Sequence, residues 1–344
     1  MANLTPGGVV GPGVGSGGVS EQEPEDRSTA RSVAPCAGDA PDELVGAPIG
    51  VFDSGFGGLT VARSVVDLMP NEDIVYLGDT SRAPYGDKRI AQVRQYALQC
   101  LDRLVDHGVK ALLIACNTAS SAVLRDARER YDVPVVDVIM PAARRACLAT
   151  RNGRVGVICT EATARSRAYD DAIEAVPGVS LTTQACPLFV PYVESGVTGG
   201  PELEAVARQY LEPIRAAGCD TLILGCTHYP LLAGLISYVL GEEVTLISSS
   251  EECARASYAD LTRAGMLHPG ARQASRYFLT TGNAERFRTL GARLMQGFVH
   301  DVRTVGVDAE PAPLGDTALV GTRSIELEGT GGDLDDAGAG RRLP

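Results

Sequence analysis

The chain has 344 residues, of which 44 % are hydrophobic and 22 % are charged, a composition that supports a soluble globular protein without disulfide or metal staples. The net charge is −12, but residues 1–46 and 308–344 each carry −5, which leaves only −2 on residues 47–307. This near-neutral centre lacks the basic surface typical of nucleic-acid binding, so we expect no nucleic-acid partner.

The two ends of the chain are rich in Gly, Pro and acidic residues and poor in large apolar side chains. Such segments cannot bury enough surface to offset the entropy of ordering, so we predict disordered tails over 1–46 and 308–344. The first 20 residues lack the basic and apolar pattern of a signal peptide, and no apolar run is long enough to span a bilayer. We therefore expect a cytoplasmic protein with no membrane partner.

Between the tails, apolar strand-like runs alternate with amphipathic helix-like stretches. The predicted strands are 49–52, 74–77, 111–115, 133–137, 155–158, 181–184, 221–225 and 244–247. The predicted helices include 59–68, 90–106, 119–130, 162–176, 202–217 and 231–240. Several strands are continuously apolar, as in parallel sheets covered on both faces. The pattern predicts an α/β fold with mostly parallel sheets, in which ligands bind at the carboxyl ends of the strands.

Two pairs of segments resemble each other at nearly the same offset. Residues 108–118 align with 218–228 at an offset of 110, and 49–55 align with 155–161 at an offset of 106. These similarities predict two related halves, each with a cysteine at the end of its own strand.

The first motif follows the first predicted strand, where Asp53 and Ser54 precede a glycine-rich turn and a helix. The glycines permit close ligand approach, and a helix N-terminus favours an anion. Their spacing matches neither the dinucleotide fingerprint nor the P-loop. Taken alone, this motif fits a structural turn equally well, and the second motif, 78–86, fits a surface turn better.

The chain has nine scattered cysteines and no CxxC pair, which predicts neither a disulfide framework nor a zinc finger. Two of them are exceptional, because Cys116 and Cys226 each follow a predicted buried strand and precede short polar side chains. His228 is positioned to poise the Cys226 thiol as a thiolate. Zinc is a weaker alternative, because CxH is not a usual ligand spacing, and we expect no metal. One thiol in each half suits inversion of a stereocentre, which needs an acid and a base on opposite faces of one carbon.

Five segments, in order, are similar to those of the glutamate racemases, cofactor-independent enzymes that make D-glutamate for peptidoglycan. The segments are FDSGFGGLTV at 52–61, GDTSRAPYG at 78–86, ACNTAS at 115–120, CPLFVPYVE at 186–194 and LGCTHYPLL at 224–232. The resemblance covers about 47–307 and implies two pseudo-symmetric α/β domains, 47–140 with 250–307 and 141–249, that face each other across an active-site cleft.

The resemblance also implies roles for individual residues. Cys116 would act on the D-enantiomer and Cys226 on the L-enantiomer, with Asp53, Glu194 and His228 as auxiliary acid–base groups. The implied substrate contacts are Asp53, Ser54, Pro84, Tyr85, Gly86, Asn117, Thr118, Thr227 and His228. No cofactor is implied, the small-molecule partner is glutamate, and a homodimer is expected. Cys159 stands where the family often has Gly, and we expect a packing substitution there.

Two alternatives stay open at this point. A racemase of the same superfamily that acts on aspartate would use identical chemistry, although the complete DSGFGG and PYG segments favour glutamate. A protein-binding role is the other alternative, because some glutamate racemases are reported to contact DNA gyrase and acidic tails can bind a basic partner.

Overall fold

The computed structural model describes residues 42–270 and 272–307. The strands are β1 (Ile49–Asp53), β2 (Ile74–Gly78), β3 (Ala111–Ile114), β4 (Val135–Asp137), β5 (Arg154–Cys159), β6 (Ser180–Ala185), β7 (Thr221–Gly225), β8 (Thr245–Ser248), β9 (Arg276–Thr280) and β10 (Val302–Thr304). The helices are α1 (Asp42–Gly46), α2 (Leu59–Leu68), α3 (Ile90–Asp106), α4 (Asn117–Arg130), α5 (Ile139–Ala149), α6 (Glu161–Ser166), α7 (Ala168–Glu174), α8 (Phe189–Ser195), α9 (Pro201–Ala216), α10 (Ala233–Leu240), α11 (Ser249–Arg263) and α12 (Ala284–Leu294), with a 3₁₀ helix at Tyr229–Leu232.

The strands form two parallel sheets with related topology. The first has the order β10-β9-β2-β1-β3-β4 and the second the order β6-β5-β7-β8. The internal similarity maps β1 onto β5 and β3 onto β7, and the order β2-β1-β3-β4 has the same form as β6-β5-β7-β8. The prediction of an α/β fold with parallel sheets and two related halves is therefore confirmed.

The apolar core explains why these runs form strands. β1, β2, β3 and β7 are buried along their whole length, so both faces carry apolar side chains. One cluster contains residues of both sheets, such as Val51 and Val157, together with helices α2, α5 and α11. Further clusters pack α3 and α4 on the first sheet and α9 and α10 on the second. Burying each large aliphatic side chain contributes about 1.5–3 kcal/mol.

The strand ends set the position of the polar residues. β1 ends at Asp53, β3 is followed by Cys116, and β7 is followed by Cys226. Because the strands of a parallel sheet share one direction, these residues lie at the carboxyl edges, where α/β folds bind ligands.

The structure differs from the predicted N-terminal tail at its boundary. Asp42–Gly46, placed within that tail, forms the short helix α1, because Leu44 packs against the core and the Lys110 ammonium donates to the Val45 carbonyl at 2.9 Å. The rest of the predicted tails, 1–41 and 308–344, lies outside the described residues. The division into two domains stays a prediction, and its boundary at residue 140 falls inside α5. No helix in the described ranges is long and apolar enough to cross a membrane.

Candidate active site

A cavity of about 710 Å³ opens at the carboxyl edges and is lined by residues from both sheets. It brings together most of the predicted site residues: Ser54, Pro84, Tyr85, Gly86, Cys116, Asn117, Thr118, Glu194, Cys226, Thr227 and His228. Asp53 lies directly behind this lining, at the end of β1, and its carboxylate accepts the backbone N–H of Gly55 at 2.8 Å.

Asp53 is a buried carboxyl group with unused hydrogen-bonding capacity. It is 1 % exposed, and its Oδ1 atom has no hydrogen-bond partner within the described residues. Burial raises the pKa of Asp53, while the charge of His228 and backbone N–H groups oppose the shift. A buried carboxyl group with a raised pKa is a candidate for proton transfer.

Cys116 is held at the N-terminus of α4. Its Sγ atom accepts the backbone N–H of Ala119 at 3.4 Å and lies 3.3 Å from the hydroxyl oxygen of Ser54. Burial and the nearby carboxylate of Asp53 raise the pKa of the Cys116 thiol to about 11, although these hydrogen bonds oppose the rise. In the substrate-free protein the thiol is therefore protonated at neutral pH.

The Cys226 thiol has an imidazole as a neighbour, whereas the Cys116 thiol has a hydroxyl group. The Sγ atom of Cys226 lies 3.9 Å from Nδ1 of His228, and Nε2 of His228 lies 3.2 Å from Oε1 of Glu194. Burial raises the pKa of Cys226 well above its usual value, and the charge of Cys116 adds to this. The thiol, the imidazole and the carboxylate form a short chain along which a proton can pass.

The glycine-rich turn packs directly against the loop of Thr227 and His228, which follows β7. An added Cβ at Gly57 would lie 2.3 Å from Oγ1 of Thr227 and 2.5 Å from Nδ1 of His228, and one at Gly58 would lie 2.4 Å from the Cβ of Asp53. The Thr60 hydroxyl bonds to the Thr227 carbonyl oxygen at 3.0 Å. Close approach, rather than an unusual backbone angle, therefore requires glycine here.

The loop that carries Tyr85 and Gly86 is fixed by the buried carboxylate of Asp79. Asp79 accepts hydrogen bonds from the Tyr85 hydroxyl, from Nε of Arg82 at 2.7 Å and from the Thr281 hydroxyl at 2.7 Å. The carbonyl of Gly86 in turn accepts the N–H of Ala162 at 3.0 Å. This loop thus joins the first sheet to the segment that follows β5.

The sequence motifs do not predict several of the residues that line the cavity or bond to its lining. The Thr118 hydroxyl lies 2.9 Å from that of Thr160 and 3.3 Å from that of Thr163, and the Asn117 side-chain oxygen accepts the Tyr169 hydroxyl at 2.7 Å. The internal repeat could have identified Thr160, because this residue aligns with Ser54 at the offset of 106. The additional lining residues are Gly55, Phe56, Thr80, Ser81, Ala83, Asp87, Thr160, Glu161, Pro187, Val190, Pro191, Gly282, Asn283 and Arg286.

Neither Cys159 nor Cys186 lines the cavity. Cys159 is fully buried in the core, where burial raises the pKa of its thiol to about 12. Cys186 is also fully buried. Within the described ranges, no group of three or more His, Cys, Asp or Glu side chains is arranged to hold a metal ion.

Comparison with known proteins adds to this geometry. A family model for Asp/Glu/hydantoin racemases matches residues 49–256. A glutamate racemase of Acidothermus cellulolyticus is 58 % identical over 259 residues, which cover 75 % of this chain and 98 % of the relative.

Two solved structures have the same fold. Glutamate racemase from Thermus thermophilus, in complex with beta-chloro-D-alanine, gives a TM-score of 0.71 at 45 % identity over 77 % of this chain and 98 % of that chain. Glutamate racemase from Francisella tularensis, in complex with D-glutamate, gives 0.72 at 36 % identity over 77 % and 99 %. The chain therefore belongs to the Asp/Glu/hydantoin racemase family and, within it, to the glutamate racemases.

Proposed function

We propose that this chain interconverts L-glutamate and D-glutamate by a two-base mechanism in which Cys116 and Cys226 are the two bases. The observation that carries the proposal is that two thiols, each following an equivalent strand of a repeated half, line one cavity. The Francisella relative binds D-glutamate in its crystal structure, which supports the choice of substrate.

The reaction consists of two proton transfers at one carbon. For L-glutamate, the thiolate of Cys226 removes the α-proton and the thiol of Cys116 donates a proton to the opposite face. The products are D-glutamate, a Cys226 thiol and a Cys116 thiolate, so protons and charge balance. The reverse direction exchanges the roles, with Cys116 acting on D-glutamate.

In each direction, the thiol that acts as the base must first pass its proton to a neighbouring group, while the other thiol stays protonated. Burial favours the protonated form of both thiols, and the substrate ammonium favours a thiolate by charge attraction. His228, at 3.9 Å, is the acceptor for Cys226, and Glu194 stabilises the resulting imidazolium. Asp53, with its unused Oδ1 and raised pKa, is the corresponding acceptor for Cys116.

The remaining lining residues hold the two substrate carboxylates. Ser54, Asn117, Thr118 and Thr227 line the cavity, and hydroxyl and N–H groups of such residues can donate hydrogen bonds to carboxylate oxygens. The Pro84–Gly86 segment also lines the cavity, on the loop that Asp79 anchors. We also propose that the chain divides into two domains, 47–140 with 250–307 and 141–249. We propose further that it supplies D-glutamate to peptidoglycan in the cytoplasm and that it forms a homodimer.

The test replaces each thiol in turn. We expect Cys116→Ala and Cys226→Ala each to abolish racemisation of L- and D-glutamate, followed by circular dichroism with a metal chelator present. Cys147→Ala is the matched control, because Cys147 is a partly buried cysteine outside the cavity lining and should leave turnover unchanged. Substantial racemisation by either cavity variant would contradict the proposal, and turnover of aspartate in preference to glutamate would reassign the substrate.

A further inference from the structure

More acidic than basic side chains line the cavity. Three acidic residues take part in the lining, Asp87, Glu161 and Glu194. Arg286 is the single Arg or Lys in that lining, as far as the described ranges show. A glutamate molecule carries two carboxylates and one ammonium at neutral pH, so its net charge of −1 is repelled by the acidic side chains and attracted by Arg286.

The guanidinium of Arg286 has no ionic partner among the residues that the structure describes. Its neighbour Glu285 is paired with Arg288 at 2.7 Å. Arg286 itself forms no ion pair with any carboxylate of the described residues, and its side chain is exposed. Its guanidinium therefore remains available to a ligand that enters the cavity.

Arg286 is carried on a firmly anchored helix. The Asn283 side chain caps α12 and accepts the backbone N–H of Arg286 at 2.8 Å. The next residue, Phe287, is fully buried and stacks on Phe56 with ring centroids 5.0 Å apart. Because Phe56 and Asn283 also line the cavity, the base of the Arg286 side chain keeps a fixed position beside it.

We propose that Arg286 recruits the anionic amino-acid substrate by charge attraction, without taking part in proton transfer. This inference rests on the proposed racemisation of glutamate. An exposed positive charge at a cavity raises the local concentration of an anion. At ionic strengths near 0.1–0.15 M, salt largely screens this attraction beyond about 8–10 Å. Arg286 thus acts on substrate capture and favours acidic amino acids over neutral ones of similar size.

The test compares Arg286→Gln and Arg286→Glu with Arg288→Gln, using the full chain and both glutamate enantiomers. Arg288 lies on the same helix, is exposed and is absent from the cavity lining. At low ionic strength we expect Arg286→Gln to raise KM about three- to tenfold with kcat unchanged, and Arg286→Glu to raise it further. At high salt the variants should converge on the unmodified chain. Arg288→Gln should behave like the unmodified chain throughout.

The outcomes separate the two proposals. An active unmodified chain with equal KM values for Arg286→Gln and Arg288→Gln would overturn the recruiting role alone. A loss of kcat that salt does not change would also overturn it, because that result requires contact during proton transfer. An unmodified chain that does not racemise glutamate would overturn the proposed function and this role with it.

Discussion

The imidazole of His228 stands 3.9 Å from the sulfur of Cys226, whereas no imidazole contacts Cys116 within the described residues. The repeated halves therefore place equivalent thiols in unequal surroundings. Cys116 has the Ser54 hydroxyl at 3.3 Å and the Asp53 carboxylate nearby. Under the proposed mechanism, two different proton acceptors would serve one reaction, a carboxyl group on the Cys116 side and an imidazole on the Cys226 side.

Replacing His228 tests the acceptor on the Cys226 side. We expect His228→Asn to lower kcat/KM for glutamate by about 10²–10⁴-fold, which is the usual contribution of a general acid or base. The loss should be equal in both directions, because the equilibrium constant between enantiomers is one. Steady-state kinetics from each enantiomer measure this, and a loss below about threefold would exclude His228 as the acceptor.

Replacing Gly57 tests the contact between the glycine-rich turn and the loop of Thr227 and His228. In Gly57→Ala the new methyl group would lie 2.3 Å from Oγ1 of Thr227, so the turn or the loop must shift. We expect a fall in kcat/KM of about 10²-fold, the scale typical of a displacement near 1 Å. Gly234→Ala is the control, since nothing lies within 4 Å of its added Cβ. Equal activity of both variants would show that the contact is not needed.

We expect the Asp53 carboxylate to lower the stability of the folded protein and to contribute to racemisation. Its buried carboxylate has a raised pKa, so at neutral pH the folded protein bears the cost of keeping it charged. We expect Asp53→Asn to raise the Tm by about 1–3 °C and to lower racemisation by about 10²-fold or more.

Asp137→Asn provides the comparison for Asp53. Asp137 is also 1 % exposed with a raised pKa caused by burial, but its carboxylate accepts the backbone N–H groups of Ile139 and Met140, whereas the carboxylate of Asp53 lies near the Cys116 thiol. We expect this variant to keep its racemase activity. A lower Tm for Asp53→Asn, or full activity in that variant, would contradict the account of Asp53.

The buried thiols predict a loss of stability in alkaline solution. The pKa of Cys116 is about 11 in the folded protein against a usual value of 9.0. Between these values the unfolded chain releases the proton and the folded protein keeps it, so stability is complete below pH 9 and falls as pH rises through 11. Each such thiol contributes about 1.4 kcal/mol per pH unit at most.

Urea unfolding at pH 8, 9 and 10 under reducing conditions measures this slope. Cys116→Ala removes one titrating thiol, so its unfolding free energy should fall less steeply with pH than that of the unmodified chain. Identical slopes would mean that the Cys116 thiol titrates normally in the folded protein.

The buried strands and amphipathic helices could be predicted from periodicity. Strand 221–225 and helices 59–68 and 90–106 match β7, α2 and α3. The helix predicted over 162–176 is instead two helices, α6 and α7. The break falls at Arg167, because its φ of 58° lies in the left-handed region, which a non-glycine residue rarely adopts. β9 and β10 were not among the predicted strands, since only the pairing of β9 with β2 and of β10 with β9 marks them as part of the sheet.

The site was predictable where residues belong to local motifs. Both thiols and His228 follow strands directly, so their position at the carboxyl edge follows from the fold class. Arg286 and Thr163 carry no such local signal, since they reach the cavity or its contacts only through the packing of α12 and α6. Long-range contacts of this kind depend on how the two halves pack, which a local pattern does not encode.

The most direct test of the two-base claim follows isotope at the α-carbon. The unmodified chain is incubated with L-glutamate in D₂O, and early samples are separated by enantiomer and measured by proton NMR. Two thiols on opposite faces predict that the newly formed D-glutamate carries deuterium while the remaining L-glutamate keeps its proton. Early D-glutamate that retains protium, or equal labelling of both enantiomers, would contradict the assignment of Cys116 and Cys226 as separate bases.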